Sequence, residues 1–443
     1  MKRLLGEAGF FAYLDALNQP YARALRVNLL LRPDGTPPCP IEGLGAPVPW
    51  AKGAYFVEGD ARPGLSPLHE GGLFYMQEPS ALTAVTALDP QPGERVLDLC
   101  AAPGGKSTQI AALMAGRGLL CCNEPIPSRA QILSRNIERM GVRNAVVLSA
   151  MPDALAPRFP AFFDRILVDA PCSGEGMFRR QPEARDEWDA DAPRRCADRQ
   201  MEILAQAAKM LRPGGTMVYS TCTFNDTENE GVLRRFLALH PEFSLVPFAL
   251  PGLPEAKDGY LHLYPHEMRG EGHFVSRLKK ADGADEADAP VQAAPQRKAP
   301  ARAAAKGKAP APIALPDVFS DAFAPERLYT AGDALWMLPE GISIERLSGL
   351  RVLRTGLLLA HAEGKRSEPD HALAMALRPE EAARTASLTQ TQALAYQAGE
   401  TLSLGDLPGG YTLLCCEGVS LGWGKQAGGM MKNHYPKGLR RRN

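Results

Sequence analysis

The sequence predicts an α/β fold with a largely parallel sheet, flanked by a small N-terminal α+β unit and a C-terminal mixed or β-rich unit. Three observations predict it. Between residues 95 and 240, short apolar runs alternate with helical patterns, the rhythm of consecutive βα units. A glycine-rich turn follows the first apolar run, where an open parallel sheet places its ligand loop. A stretch made almost wholly of Ala, Pro, Gly and charge separates this block from the C-terminal part. At 443 residues the chain also exceeds one ordinary core.

Residues 1–75 form the N-terminal unit, with a helix near Phe10–Leu17 and a strand near Leu25–Leu30. Residues 76–280 form the central domain. Its first strand is Arg95–Leu99 and its first helix runs from about Lys106 to Met114. Leu119–Cys122, Ala145–Leu148 and Arg165–Asp169 are further strands, and Ser128–Met140 is the second helix. Residues 197–211 carry helical periodicity and stop at Arg212-Pro213-Gly214-Gly215. Thr216–Cys222 is the fifth strand, and Asp226–Leu239 a helix capped by Asp226 with Asn229 nearby. Residues 281–315 are a linker; over 281–312 Val291 is the only large aliphatic residue, too little apolar surface to offset chain entropy, so a disordered tether is expected. In the last unit, 316–443, Leu350–Leu359, Thr401–Leu404 and Tyr411–Cys416 read as strands. No internal repeat is visible.

Fifty basic and fifty acidic residues leave a formal charge of +0, so attraction to nucleic acid must come from local patches. No apolar run has the length of a membrane span, and Glu7 interrupts the N-terminus before a signal core develops, so a cytoplasmic protein without a membrane partner is expected. The nine cysteines contain no C-x-x-C pair and no histidine at zinc-ligand spacing, which predicts no metal site. Free thiols in a reducing compartment follow. Cys121, Cys122, Cys415 and Cys416 lie in apolar runs and read as packing.

The turn after the first strand is Cys100-Ala101-Ala102-Pro103-Gly104-Gly105-Lys106. Gly105-Lys106-Ser107 fits the end of a P-loop, but Cys100 stands where its first glycine belongs, and the dinucleotide fingerprint G-x-G-x-x-G is absent. Glu124 closes the second strand, 18 residues beyond Lys106, where an acid binds the ribose hydroxyls of a nucleoside. A glycine turn with a ribose-binding acid and no phosphate signature suits S-adenosylmethionine.

Two further loops should reach the same sheet edge: Asp169-Ala170-Pro171-Cys172-Ser173-Gly174 and Ser220-Thr221-Cys222-Thr223. Carbon 5 of cytosine is a poor nucleophile. A thiolate adding to carbon 6 breaks the ring conjugation and makes carbon 5 an enamine carbon able to attack a methyl sulfonium. Such chemistry needs an activated cysteine, a proton shuttle to the ring, and a second base or thiol for release. Cys222, Asp169 and Cys172 match in kind and position. Cysteines that merely pack under the sheet edge, or that pair as a disulfide, are the competing readings.

The segments LDLCAAPGGK (97–106), DAPCSGEGMF (169–178) and STCTFNDTENE (220–230) resemble the Sun-type RNA (cytosine-5) methyltransferases, and within them the bacterial RsmF-like enzymes of small-subunit ribosomal RNA. Segments LFYMQEPSA (73–81), PYARALRVN (20–28), GEGHFVSRL (270–278) and KNHYPKGLR (432–440) extend the resemblance over nearly the whole chain outside the tether. It implies a Rossmann-like S-adenosylmethionine-dependent methyltransferase domain and a C-terminal PUA-like module. It implies that Cys222 attacks carbon 6, that Cys172 promotes product release, and that Asp169 contacts cofactor and base. Residues Cys100 to Lys106 would hold the methionine end of the cofactor, Glu124 its ribose, and Arg129 would supply a basic group beside it. Where many relatives place an acid or amide near the adenine, this chain offers Ser149 or Asp153.

The tail from Lys425 to Asn443 holds six Lys or Arg and no acid, so Lys432, Tyr435, Lys437 and Arg440 are candidate RNA contacts. Arg23, Arg26 and Asn28 are candidates in the N-terminal unit. The expected partner is RNA, small-subunit rRNA or the assembling subunit, rather than DNA, with the protein a monomer and the target cytosine leaving its stack. His266 and His273 read as structural. Two other functions compete: a non-catalytic RNA-binding assembly factor with a vestigial cofactor site, and a methyltransferase acting on another RNA such as tRNA, on an exocyclic amine or on a protein.

Overall fold

The computed structural model describes residues 1–180, 182–283, 318, 325–363 and 366–440. The expected tether lies almost wholly outside the described residues. The N-terminal unit opens with a helix, Lys2–Leu17, interrupted at Gly6, whose φ is 69°. Four strands follow: β1 (Ala24–Val27), β2 (Leu44–Pro47), β3 (Ala54–Val57) and β4 (Phe74–Gln77), ordered β2-β3-β1-β4. The strand containing Leu25 is shorter than its apolar run suggests. Asn28 turns inward and its amide donates to Gly72 O (2.9 Å) and Met140 O (3.0 Å), which ends the strand.

The central domain contributes β5 (Arg95–Asp98), β6 (Leu119–Asn123), β7 (Ala145–Leu148), β8 (Phe163–Asp169), β9 (Leu211–Thr221), β10 (Phe243–Leu245), β11 (Tyr260–Leu263) and β12 (His273–Lys280). Strands β7-β6-β5-β8-β9 are mutually parallel, and β12 adds antiparallel beside β9. The order reverses at β5, the switch point beyond which open α/β sheets bind ligands. Helices Gly105–Leu113, Pro127–Arg139 and Ala192–Met210 cover the faces. Val96, Leu120, Val147 and Val218 enter the core on one side; Leu97, Cys121, Val146 and Phe163 enter it on the other. That two-sided burial is why these strands read as continuous apolar runs.

The C-terminal part holds β13 (Leu328–Ala331), β14 (Ala334–Met337), β15 (Val352–Thr355), β16 (Leu357–Glu363), β17 (Arg366–Pro369), β18 (Thr385–Ser387), β19 (Gly410–Cys416), β20 (Val419–Ala427) and β21 (Met430–Asn433). The single strand expected over 350–359 is two. Gly356 breaks it at φ 126°, where a Cβ would lie 2.1 Å from Met337 O. β16 joins the sheet β13-β14-β16-β17, whereas β15 pairs antiparallel with β7 and closes the edge of the central sheet. An open edge would offer unpaired backbone groups. The fully buried Arg354 pairs with Glu138 across this junction. Residues 401–404, expected as a strand, form only an isolated bridge between Leu402 and Met431. The last sheet, β18-β19-β20-β21, shares one core with the N-terminal unit through Leu25, Leu73, Phe74, Tyr396, Leu414 and Tyr435.

The expected helix from Asp226 begins only at Glu230. Asp226 pairs with Arg3 instead of capping, and Asn229 spends its side chain on Thr221 Oγ1 (2.7 Å) and Thr223 O (3.1 Å). Among the described residues no helix is long and apolar enough to cross a membrane, and no group of three metal-binding side chains occurs.

Candidate active site

The register of β8 with β9 sets the site. Asp169 lies opposite Ser220, so the loops beyond both strands leave the sheet side by side. Cys172 and Cys222 then meet with their sulfurs 3.3 Å apart, one thiol donating to the other. Gly176 N donates to Cys222 O at 2.8 Å, and a Cβ on Gly176 would stand 2.9 Å from that oxygen, so only glycine permits the approach. The Cys172 thiol is pushed well up by its hydrogen bond with Cys222, by burial, by the charge of Cys222 and, after these, by that of Glu228, so Cys172 keeps its proton.

Asp169 binds on both oxygens. Oδ2 accepts from Lys106 Nζ at 2.8 Å and Oδ1 from the Ser220 hydroxyl at 2.8 Å; His273 Nε2 stands 3.5 Å from Oδ1. Burial alone would raise its pKa, but Lys106 and His273 hold it well below the usual carboxylate range. Lys106 moves up, its desolvation outweighed by Asp169 and aided by Cys222. Asp169 is therefore a carboxylate, and Lys106 is the protonated member of the pair. His273, read from the sequence as structural, is buried beside Asp169; no sequence pattern placed it there.

The turn from Cys100 to Lys106 crosses the end of β5. Gly104 has φ 113°, and a Cβ there would press on Leu133 and Asn136 of the helix Pro127–Arg139. The Ala102–Pro103 bond is cis. Burial drives the Cys100 thiol far above its ordinary range, so it lines the loop without reacting. Glu124 is buried, accepts from Ile126 N at 3.0 Å and pairs with Arg129 at 3.2 Å. Arg129 also donates to Ala102 O at 3.2 Å, tying the glycine turn to Glu124. Sequence reasoning passed over Asp98, which sits inside the apolar run of β5. Its Oδ2 accepts from Ser107 Oγ at 2.6 Å, its Oδ1 is buried without a partner, and burial pushes it up to about 7. A buried acceptor left open under a glycine turn fits a ligand with a cationic donor, such as the ammonium of S-adenosylmethionine.

The adenine candidates separate. The Ser149 hydroxyl donates to Pro125 O at 3.3 Å and its N–H to Arg351 O at 2.9 Å, while Asp153 is exposed on the turn beyond. Ile126 and Met151, at 49% and 61% exposure, flank this position as uncovered apolar side chains.

Three candidate RNA contacts are corrected by burial. Arg26 is 1% exposed and donates to Thr108 Oγ1 at 2.9 Å and Gly105 O at 3.2 Å, bracing the cofactor helix from beneath. Asn28 is equally buried, and Tyr435 packs against Tyr396 and His371 in the shared core. A side chain inside a core cannot stack on a base. Arg23 is spent on Ala61 O and Gly59 O, and Arg440 is half-buried, donating weakly to Tyr435 O. Lys432 and Lys437 are exposed.

Residues 85–279 match the family described as 16S rRNA methyltransferase RsmB/F. Residues 1–79 match the N-terminal domain of 16S rRNA methyltransferase RsmF, 316–377 the RsmF rRNA methyltransferase first C-terminal domain, and 383–441 the methyltransferase RsmF PUA domain. The ribosomal RNA small subunit methyltransferase F of Erwinia tasmaniensis is 33% identical over 463 residues, covering 99% of this chain and 95% of that protein. Its namesake in Escherichia coli O127:H6 is 34% identical over 97% of this chain and 92% of its own. The chain belongs to the RsmB/F family. It is an S-adenosylmethionine-dependent rRNA methyltransferase, and the cytosine-5 specificity follows from that family.

Solved structures agree on the fold. A methyltransferase homolog from Pyrococcus horikoshii is 29% identical with a TM-score of 0.51, covering 63% of this chain and 97% of its own. NSun6 from Pyrococcus horikoshii, determined with SFG, shares the fold at 22% identity, with a TM-score of 0.54 over 64% of this chain and 97% of its own. The RsmF first C-terminal and PUA matches fall on the two separate four-stranded sheets, where the sequence suggested one unit.

Proposed function

We propose that this protein methylates carbon 5 of a cytosine in small-subunit rRNA through a covalent adduct between Cys222 and carbon 6. The observation that carries the reading is the 3.3 Å contact of the two sulfurs beside the Lys106–Asp169 pair. S-adenosylmethionine supplies a methyl group on a sulfonium. The Cys222 thiolate bonds to carbon 6, and the carbon 5–carbon 6 π pair becomes the nucleophile at carbon 5. That carbon takes the methyl group as the bond to the donor sulfur breaks. Solvent water takes the carbon-5 proton, ring nitrogen 3 gives back the proton it was lent, and the sulfur–carbon 6 bond cleaves with its electron pair on Cys222, which restores the ring. Lys106 stabilises the attacking thiolate and carries the proton that ring nitrogen 3 needs, and Asp169 holds Lys106 in place. Cys172, a thiol in contact with the departing sulfur, assists release.

The cofactor groups divide along the same edge. Cys100 to Lys106 and Asp98 would receive the methionine end, Glu124 with Arg129 the ribose, and Ile126 with Met151 the adenine faces. Lys432 and Lys437 would bind phosphate, and the protein would act as a monomer in the cytoplasm. Cys222→Ala is expected to abolish methyl transfer, about a thousandfold or more, with cofactor affinity retained. Undiminished transfer, or a product mass-mapped to the exocyclic amine, would overturn the reading. Bisulfite sequencing of rRNA from cells with and without the protein locates the cytosine. Sedimentation at working concentration tests the monomer.

A further inference from the structure

Glu228 lies on the turn that carries the chain from Cys222 into the helix Glu230–Leu239, and it is fully buried. Its Oε2 accepts from Ser173 N at 3.0 Å and Gln200 Nε2 at 2.9 Å. Its Oε1 accepts from Asn225 Nδ2 at 2.7 Å and from the Ser173 hydroxyl. Each of these partners can donate to it, a set that an ionised carboxylate accepts in full. Among the described residues it has no cationic partner.

Ser173 and Asn225 belong to the two cysteine loops, and Gln200 reaches in from the helix Ala192–Met210. Ser173 follows Cys172 directly. Asn225 belongs to the loop after Cys222, and its amide also reaches Thr223 Oγ1 at 3.0 Å. Gln200 additionally donates to Pro171 O at 3.0 Å, one residue before Cys172. One carboxylate thus fastens both loops together. It also places a negative charge on the Cys172 side of the sulfur pair, while Lys106 stands as the cation coupled to Cys222.

We propose that Glu228 is the positioning residue of the sulfur pair: it locks the two loops at sulfur contact with its charge on the Cys172 side, so that Cys222 is the sulfur that attacks. The inference rests on the assignment of Cys222 as nucleophile. Fewer negative charges near Cys172 would raise its thiolate population, and only thiolate reacts with an alkylating agent.

The test is limiting iodoacetamide labelling of the native full chain, mapped by mass spectrometry with Cys39 as internal reference. In the unmodified protein, Cys222 should label ahead of Cys172. In Glu228→Gln, the Cys172-to-Cys222 ratio should rise about tenfold, the change one pKa unit makes in a thiolate population. kcat should fall while KM for cofactor and RNA holds. Ser173→Ala, which keeps the backbone donor and the carboxylate charge and removes only the hydroxyl, should leave the ratio within about twofold, so that a tenfold rise confined to Glu228→Gln assigns the effect to the charge. A ratio unchanged in Glu228→Gln, or Cys172 labelling ahead of Cys222 in the unmodified protein, overturns the proposal. Labelling needs no turnover, so this result is separable from methyl transfer surviving in Cys222→Ala, which would overturn the nucleophile assignment itself.

Discussion

On the thiol side of the sheet edge, Ser173, Gln200, Asn225, Glu228 and Asn229 all find hydrogen-bond partners within the protein, and the sulfurs already touch. On the side proposed for the cofactor, Asp98 Oδ1 is buried with no partner and Ile126 and Met151 stand uncovered. One half is completed by folding; the other is left for a ligand to complete. The difference fits the order of demands in the chemistry. A nucleophile must be preorganised before the base arrives, because reorganisation during reaction adds to the barrier. A site that must bind and release a molecule each turnover retains unsatisfied groups for it.

The comparison breaks most visibly at Cys172. If the thiol half is complete, removing that sulfur leaves Cys222 able to attack and unable to leave. Cys172→Ala should lose turnover by about 10²–10⁴-fold, the range for loss of a proton-transferring group, and accumulate a protein–RNA adduct seen as a retarded band on a denaturing gel. Turnover without adduct would remove the release role.

Next in size is Arg26, which supports the cofactor half from the N-terminal unit. Arg26→Ala takes the guanidinium donor from Thr108 Oγ1 and from Gly105 O, which keeps the Thr108 hydroxyl, and opens space beneath the helix, at a cost of about 2–4 kcal/mol. Urea unfolding measures it. RNA binding should keep its salt dependence, since the guanidinium never meets phosphate.

Asp98 sharpens the contrast through pH. Its folded pKa, about 7, exceeds the unfolded value, so the folded state holds the extra proton and stability falls as pH rises from about 4 to about 7. Asp98→Asn should therefore melt higher than the parent at pH 8 while binding S-adenosylmethionine more weakly. Cofactor affinity of the parent should strengthen as pH rises through 7, and the variant should lose that dependence. The Lys106–Asp169 pair behaves differently. Asp169, depressed, keeps its contribution above the ordinary carboxylate pKa and loses it only as pH falls through its lower folded value. Lys106, raised, loses its own only as pH climbs through a value above that of free lysine.

What the sequence disclosed follows the reach of its signals. The parallel strands were legible because burial on both faces leaves uninterrupted apolar runs, and the two cysteine turns because strand ends on one sheet edge must converge. Glu228 was quoted in a motif without a role, since a buried carboxylate and a surface one are the same letter until its donors are placed. Arg26 and Tyr435 were misjudged for the same reason: a cation or aromatic in a basic, polar stretch looks solvent-facing unless the neighbouring domain is known. β15 escaped because its partner, β7, lies some two hundred residues earlier, and only the glycine at 356 hinted that the run was two strands.

The smallest effects belong to the surface that neither half contains. Lys432 and Lys437 are exposed, and Lys432 stands opposite Lys425 across β20 and β21. Two like charges facing each other are unfavourable without an anion to share, and a phosphate would relieve them. Replacing Lys432 or Lys437 by Ala should weaken RNA binding uniformly across sequences and lower the slope of log K against log salt by about one each. kcat at saturating RNA should not change. A lowered kcat with an unaltered salt slope would mean that these lysines act on the reaction centre, through the core that the last sheet shares with the N-terminal unit, rather than on phosphate.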